Sequence, residues 1–262
     1  MSVARPSISV VIPTRDRPEL LRDALASVAA QKLSPLEVRI ADDGERPLPR
    51  EFESPGPPRI VVVRVGAGLL ARARNHGSAG AKGDVLAFLD DDDRWLPSHL
   101  EGLAAAFADP AVEVAWRDCA VIRERIENDG TRRDLERRTI AHDWDLPLMR
   151  TDDYLPPSAV AVRRSFFERL GGFDESFPFS EDWDFLMRAA ALTTPRRVPG
   201  VTVEVRMRDT GNLSADFGPK RLECLRKLSD RHGLPRLVPK TFWEVAETVG
   251  EAGRRAPAPG HS

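Results

Sequence analysis

Three groups of carboxylates in this 262-residue chain stand where an α/β sheet would offer them to a ligand. Residues 85–95 read VLAFLDDDDRW, an apolar strand pattern that runs into four consecutive aspartates, Asp90–Asp93. Open α/β sheets bind their ligands outside the carboxyl ends of the strands. Two carboxylates ~6 Å apart repel by ~3 kcal/mol at an effective dielectric of ~20, so the run calls for a cation or arginines nearby. Hard oxygen donors of this kind suit Mg²⁺ or Mn²⁺, held by one or two carboxylates and substrate phosphates. The plainer reading is a solvated acidic turn.

The second group, Asp42-Asp43-Gly44, ends another strand pattern. Asp-Gly is ordinary turn chemistry, but a carboxylate there can accept from a base N–H or a ribose hydroxyl. Pro13, Thr14 and Arg15 end the first strand at the same expected edge. The third group is FSEDWDFLMRAA, residues 179–190, in which Glu181, Asp182 and Asp184 crowd the first turn of a helix. The helix dipole favours anions there, and a general base could be held facing the acidic run. Arg72 and Arg74, ahead of that run, could pair with phosphate bidentately. Trp95 and Trp183 flank the acidic groups and could present a platform to a sugar face, with core packing the competing role.

The elements that must position these groups follow from periodicity. Ile8–Ile12, Leu36–Ala41, Ile60–Val65 and Val85–Leu89 read as strands alternating with helices, the pattern of a parallel α/β sheet. Asp16 with Glu19 and Pro18 reads as a helix start. The second half is less regular: Glu113–Ile122 reads as a strand, and the charged stretch Arg123–Asp145 as a loop-rich excursion. Further helices are expected over Arg164–Leu170, Glu181–Leu192 and Lys220–His232, the last stopped by Gly233. The polar, Gly/Pro-rich stretch 251–262 reads as a disordered tail.

Composition narrows the function classes. Thirty-nine basic and 41 acidic residues leave a net charge of −2, which argues against general nucleic-acid binding. Mean hydropathy is −0.36, and the longest apolar runs fall far short of the ~20 residues that span a bilayer. Two cysteines give no disulfide framework and point to a reducing compartment. Nucleotide-binding P-loop, GxGxxG, GxSxG and HExxH patterns are all missing from the sequence.

Together, SVVIPTRDR (9–17), VRIADDG (38–44), ARARNHGSAGAKGDVLAFLDDDD (71–93), GGFDE (171–175) and SEDWDF (180–185) resemble the family 2 inverting glycosyltransferases of GT-A fold. The resemblance implies a Rossmann-like, mostly parallel sheet flanked by helices, with a C-terminal helical extension. It places a glycosyltransferase domain over 1–215, its nucleotide half 1–110 and acceptor half 111–215, and the extension over 216–250. Thr14 and Asp43 match nucleotide-holding positions. Asp90, Asp91 and Asp92 match the metal-and-ribose motif, with Asp91 on the ribose side and Asp92 on the metal. Asp182 matches the catalytic base, with Glu181 and Trp183 bordering the acceptor or sugar pocket. VEVRMRDTGNLS (203–214) resembles a segment that often carries a histidine near the metal, and here Asp209 is the nearest match.

The implied reaction is metal-dependent, inverting transfer from a nucleoside-diphosphate sugar, with UDP favoured and dTDP or GDP open. The acceptor hydroxyl would belong to a saccharide, a lipid-linked group or a smaller molecule, contacted by Arg123–Tyr154 and the segment after Asp182. A sugar nucleotidyltransferase is the first rival, disfavoured because PTRDRPEL lacks a glycine-rich phosphate loop. A catalytically silent nucleotide-sugar or partner-binding domain is the second. A cytoplasmic location, peripheral membrane contact and a homodimer complete the expectations.

Overall fold

The computed structural model describes residues 5–66, 68–127, 131–208 and 217–255. Nine strands form one sheet: β1 (Ile8–Thr14), β2 (Glu37–Asp42), β3 (Arg59–Arg64), β4 (Val85–Phe88), β5 (Arg94–Trp95), β6 (Val114–Ile126), β7 (Arg132–Ile140), β8 (Val160–Arg163) and β9 (Arg196–Met207). Eight helices accompany them among the described residues: α1 (Pro18–Ala29), α2 (Leu70–Ser78), α3 (His99–Phe107), α4 (Leu146–Met149), α5 (Arg164–Leu170), α6 (Glu181–Ala190), α7 (Pro219–His232) and α8 (Phe242–Arg255).

The sheet order is β3-β2-β1-β4-β8-β6-β9-β5, with β7 paired to β6 outside that path. Six strands point the same way, and β5, β7 and β8 run against them. The chain steps from β1 to β2 and β3 on one side, then returns to place β4 on the other side of β1. A crevice opens at such a reversal, outside the carboxyl ends of the two strands. All seven residues of β1 and all four of β4 are buried. Strands covered on both faces read as continuous apolar runs, which is why this half is legible in sequence.

The charged stretch expected to be a loop-rich excursion is instead a hairpin. β6 continues to Ile126 and pairs antiparallel with β7 over eight residue pairs. Its outer strand, RRDLERRTI, is exposed over most of its length and so shows no apolar alternation. Asp16 is also reassigned: it has φ +53° and accepts the Glu45 amide at 3.0 Å, bridging the loops after β1 and β2. No side-chain cap closes α1, which starts on Pro18.

α8 continues through Arg255, so it takes in residues 251–255 of the expected tail, while 256–262 lie outside the described residues. One apolar cluster runs through both halves and includes Leu225 and Leu228 of α7 and Trp243, Val245 and Val249 of α8. Arg123 and Arg138 of the hairpin lie over the Trp243 ring at 4.3 and 4.4 Å, joining α8 to the sheet by cation–π contact. Cys119 and Cys224 are both buried free thiols. No helix among the described residues is long and apolar enough to cross a membrane.

Gly77 sets how closely α2 approaches the sheet. A Cβ there would stand 2.6 Å from Val11 Cγ1 and 3.3 Å from the Ala41 Cβ, on two buried strands. Gly77→Ala should therefore destabilise the chain by roughly 1–2 kcal/mol, overpacking exceeding the helix-propensity gain of ~1 kcal/mol. A urea midpoint at or above that of the parent chain would show that α2 can move off the sheet.

Candidate active site

A cavity at the β1/β4 reversal is lined by Pro13 and Arg17, by Arg74 of α2, by all of Asp90–Asp93, and by Glu181 and Asp182 of α6. The fold thus brings the first and third acidic groups into one site. Arg74 joins them. Its guanidinium is 1% exposed and pairs with Asp90 at 2.7 Å on one side and with Glu181 on the other. Burial works against its charge, but Asp90 and Glu181 hold it ionised above the ordinary arginine range. The phosphate contact expected of Arg74 therefore gives way to an internal role, since both ends of its fork are engaged.

The aspartate run is held residue by residue. The Asp90 amide donates to Ser158 Oγ at 3.0 Å. Asp91 accepts from Thr14 Oγ1 at 2.7 Å, with Arg17 at 3.7 Å. Asp92 pairs with Arg17 at 3.2 Å and with Arg208. Asp93 accepts from Ser158 Oγ and from the Arg206 amide at 3.0 Å, tying β9 to the run. Arg17, Arg208 and Ser158 were not singled out by sequence; their partners lie 65 or more residues away, and arginine is scattered along the whole chain.

Crowding raises these acids. Burial, then the Asp92 charge, pushes Asp91 up to about 7. Burial also raises Asp92 against Arg208, and raises Asp93 well above the usual range with Asp92 and Asp90 adding to it. On α6, burial and then Asp182 push Glu181 up to about 7 against the pull of Arg74. Asp182 is raised by burial, opposed by Arg74, and accepts the Trp183 amide at 2.9 Å. Ser180, immediately before α6, has φ +61°, a left-handed conformation rare outside glycine and costly enough to suggest a functional constraint.

The donor set fits a hard divalent cation. Asp90 and Asp92 keep 26% and 20% side-chain exposure on the cavity, so one or two carboxylates can be shared with substrate phosphates. Three or more ligating side chains do not gather as a closed cage among the described residues. Asp209 lies outside the described residues.

Other expected contacts fall elsewhere. Asp43 is buried beside the cavity rather than in its lining, and accepts the Gly68 amide at 2.9 Å. Arg15 is exposed, with its guanidinium against Gly68. Arg72 is half-buried on α2, away from the lining. Neither tryptophan forms a platform, which corrects the expectation. Trp95 is buried, donates to the Ser158 carbonyl at 2.7 Å and stacks on His99. Trp183 is buried and donates to the Met149 carbonyl at 2.7 Å. Phe179 and Phe242 are the aromatic residues on the cavity wall, with Asp153 and Lys240 beside them.

Residues 9–171 match the sequence model described as Glycosyl transferase family 2. The uncharacterized glycosyltransferase YwdF of Bacillus subtilis is 35% identical over 243 residues, 92% of this chain and 89% of YwdF. Validoxylamine A glucosyltransferase of Streptomyces hygroscopicus subsp. limoneus is 28% identical over 92% of this chain, which spans 59% of that protein. Among solved structures, S. aureus TarS 1-349 in complex with UDP-GlcNAc superposes with a TM-score of 0.64 at 19% identity, covering 93% of this chain and 71% of that one. At that identity the likeness is one of fold.

The raised acids set the pH response of the fold. A carboxyl that holds its proton more tightly folded than unfolded contributes stability that is lost as pH rises from the unfolded to the folded pKa. Asp91 and Glu181 place that window between about pH 4 and pH 7, and the other raised cavity acids act with the same sign. Asp174 and Asp184 go the other way: burial is outweighed by hydrogen bonds from Ser176 and Arg231, and from His232 and Arg188, so their loss comes only below pH 4. The urea midpoint should therefore be higher at pH 5 than at pH 7.5, and Glu181→Gln should shrink the difference. A midpoint that rises over this interval would contradict the assignment.

Proposed function

The chain belongs to glycosyl transferase family 2, and from that premise we propose that it moves a sugar from a nucleoside-diphosphate sugar to an acceptor hydroxyl in one inverting displacement. The observation that carries this reading is the cavity itself, where the strand-end aspartates of the β1/β4 reversal meet Asp182 across the Arg74 bridge. Asp182 takes the proton of the acceptor hydroxyl. The hydroxyl oxygen bonds to the anomeric carbon as that carbon's bond to the β-phosphate oxygen breaks, and the nucleoside diphosphate leaves with the electron pair. The family likeness and the UDP-GlcNAc in the TarS complex support a uridine nucleotide as the first donor to test.

Asp92, with Asp90, would hold a divalent cation, which supplies charge neutralisation at the departing phosphates. Asp91 and Thr14, already hydrogen-bonded to each other, stand on the ribose side. Asp43 acts on the nucleotide through the Gly68 loop that it anchors. Arg17 and Arg208 offset the aspartate charges, and Arg17, on the cavity wall, is placed to meet a phosphate. Glu181 does not act as the base, because its carboxylate is tied to Arg74. Base catalysis therefore rests on Asp182, whose burial raises its pKa and makes its carboxylate a stronger base than an ordinary aspartate.

Two measurements test the reading. In a thermal-shift panel of UDP, dTDP, GDP, CDP and ADP with and without Mn²⁺, one diphosphate should stabilise the chain only when Mn²⁺ is present. The effect should approach ~2.7 kcal/mol at 100 times the dissociation constant. No shift from any nucleotide would favour a protein that binds another ligand. Asp182→Asn should keep that nucleotide shift while transfer falls by roughly 10²–10⁴-fold. Retained turnover would remove Asp182 from its role.

A further inference from the structure

A second carboxyl faces the same cavity and has no task in the displacement. Asp153 reaches the cavity from the segment between α4 and β8. Its carboxyl takes a hydrogen bond from the Leu155 amide. Its other oxygen, Oδ1, is buried and has no hydrogen-bond partner among the described residues. Native interiors rarely leave a carboxyl oxygen in that condition, and each such atom asks for an explanation.

The surrounding loop is fixed, so this oxygen does not simply swing to a partner. Asp152 on one side is paired with Lys240. On the other side the Tyr154 hydroxyl accepts the Asp145 amide at 2.9 Å. Trp183 of α6 clamps the Met149 carbonyl, which joins the loop to the helix that carries Asp182. Pro156 and Pro157 restrict the backbone on the way out. Two cations of the cavity wall are committed to other carboxylates, Arg74 to Asp90 and Glu181 and Lys240 to Asp152. Asp153 is raised by burial and then by the charge of Asp182, which marks the two carboxyls as neighbours.

Resting on the glycosyltransferase reading above, we propose that Asp153 is a specificity-determining residue of the acceptor subsite, where its buried Oδ1 accepts a hydrogen bond from a second donor group carried beside the hydroxyl that Asp182 deprotonates. That donor is a hydroxyl or an amino group, so the acceptor is a polyol or an amino polyol at its reacting end. A phosphate or carboxylate in the same place would meet Asp153 and Asp182 as like charges. The apolar neighbours Pro156, Pro178 and Phe179 suit the C–H face of a ring.

The test compares three acceptor probes that differ by one group: cyclohexanol, trans-1,2-cyclohexanediol and trans-2-aminocyclohexanol. The full-length chain is given the donor identified by the nucleotide panel, and kcat/KM for transfer is measured for each probe. A site built to bind a donor group discriminates strongly against an analogue that lacks it. At least one two-donor probe should exceed cyclohexanol by about 10-fold or more. In Asp153→Leu, which keeps the bulk but has no acceptor, that ratio should collapse toward one, and in Asp153→Asn, which keeps an acceptor oxygen, part of it should survive. A ratio within one variant cancels any loss of folded protein, so a merely structural role for Asp153 would not move it.

An advantage confined to the diol assigns a hydroxyl, and a larger one for the amino alcohol assigns an ammonium. An unchanged ratio in Asp153→Leu overturns the proposal, as does a parent chain that uses neither two-donor probe better than cyclohexanol. Failure of every donor to be bound or consumed would instead overturn the glycosyltransferase reading beneath it.

Discussion

The structure around the cavity depends on one buried cation. Arg74 comes from α2, Asp90 from just past the end of β4 and Glu181 from the start of α6, and the buried guanidinium pairs with both carboxylates. Breaking a buried pair by removing one partner typically costs roughly 3–5 kcal/mol, because the other charge is left uncompensated. Here the removal would strand two carboxylates, with Asp182 next to them. The Arg74 fork therefore sets the separation between the strand-end aspartates and the helix that carries Asp182. Its stacking over Phe173, with the guanidinium carbon 5.6 Å from the ring centroid, fixes the plane of that fork.

Negative charge in the cavity is balanced by arginines that differ in accessibility. Arg74 is fully interior, while Arg17 retains 36% side-chain exposure and Arg208 10%. The balance is incomplete, since Asp91, Asp92, Asp93, Asp153, Glu181 and Asp182 are all raised. Such strain costs stability near neutral pH and is relieved by whatever positive charge enters. A fold selected for stability alone would place apolar groups here instead. The concentration of raised acids in one concave site is the physical sign of a binding and catalytic centre.

Much of the strand-end side of the cavity was legible in sequence because its signals are local. Strand patterns that end in Pro13-Thr14, Asp42-Asp43 and Asp90–Asp93 point to one edge, and the sheet order places them there. What could not be read were pairings between distant residues. Glu181 lies 107 residues from Arg74, and in so arginine-rich a chain nothing in the sequence separates that arginine from Arg72. The tryptophans mislead for a different reason. Successive helix residues project about 100° apart, so Trp183 enters the core while its neighbour Asp182 faces the cavity. The hairpin formed by β6 and β7 leaves no alternation in the sequence, because its outer strand carries charge on both faces.

The proposed acceptor side of the cavity is built by longer-range assembly. Its wall combines the 150–158 segment, the start of α6 and the start of α8. A reciprocal cap between Thr241 and Glu244 sets α8 in place, with Lys240 and Phe242 at the cavity. Asp184 gathers Arg188, Arg231 and His232, which docks α6 against the end of α7. These ties lie behind the lining, so lining residues can change without loosening the frame. Ser158 is the exception: its hydroxyl holds Asp93 and the Asp90 amide, and its carbonyl holds Trp95. The 150–158 segment and the strand-end aspartates share that residue, so a displacement of the segment would move Asp90 and Asp93 with it.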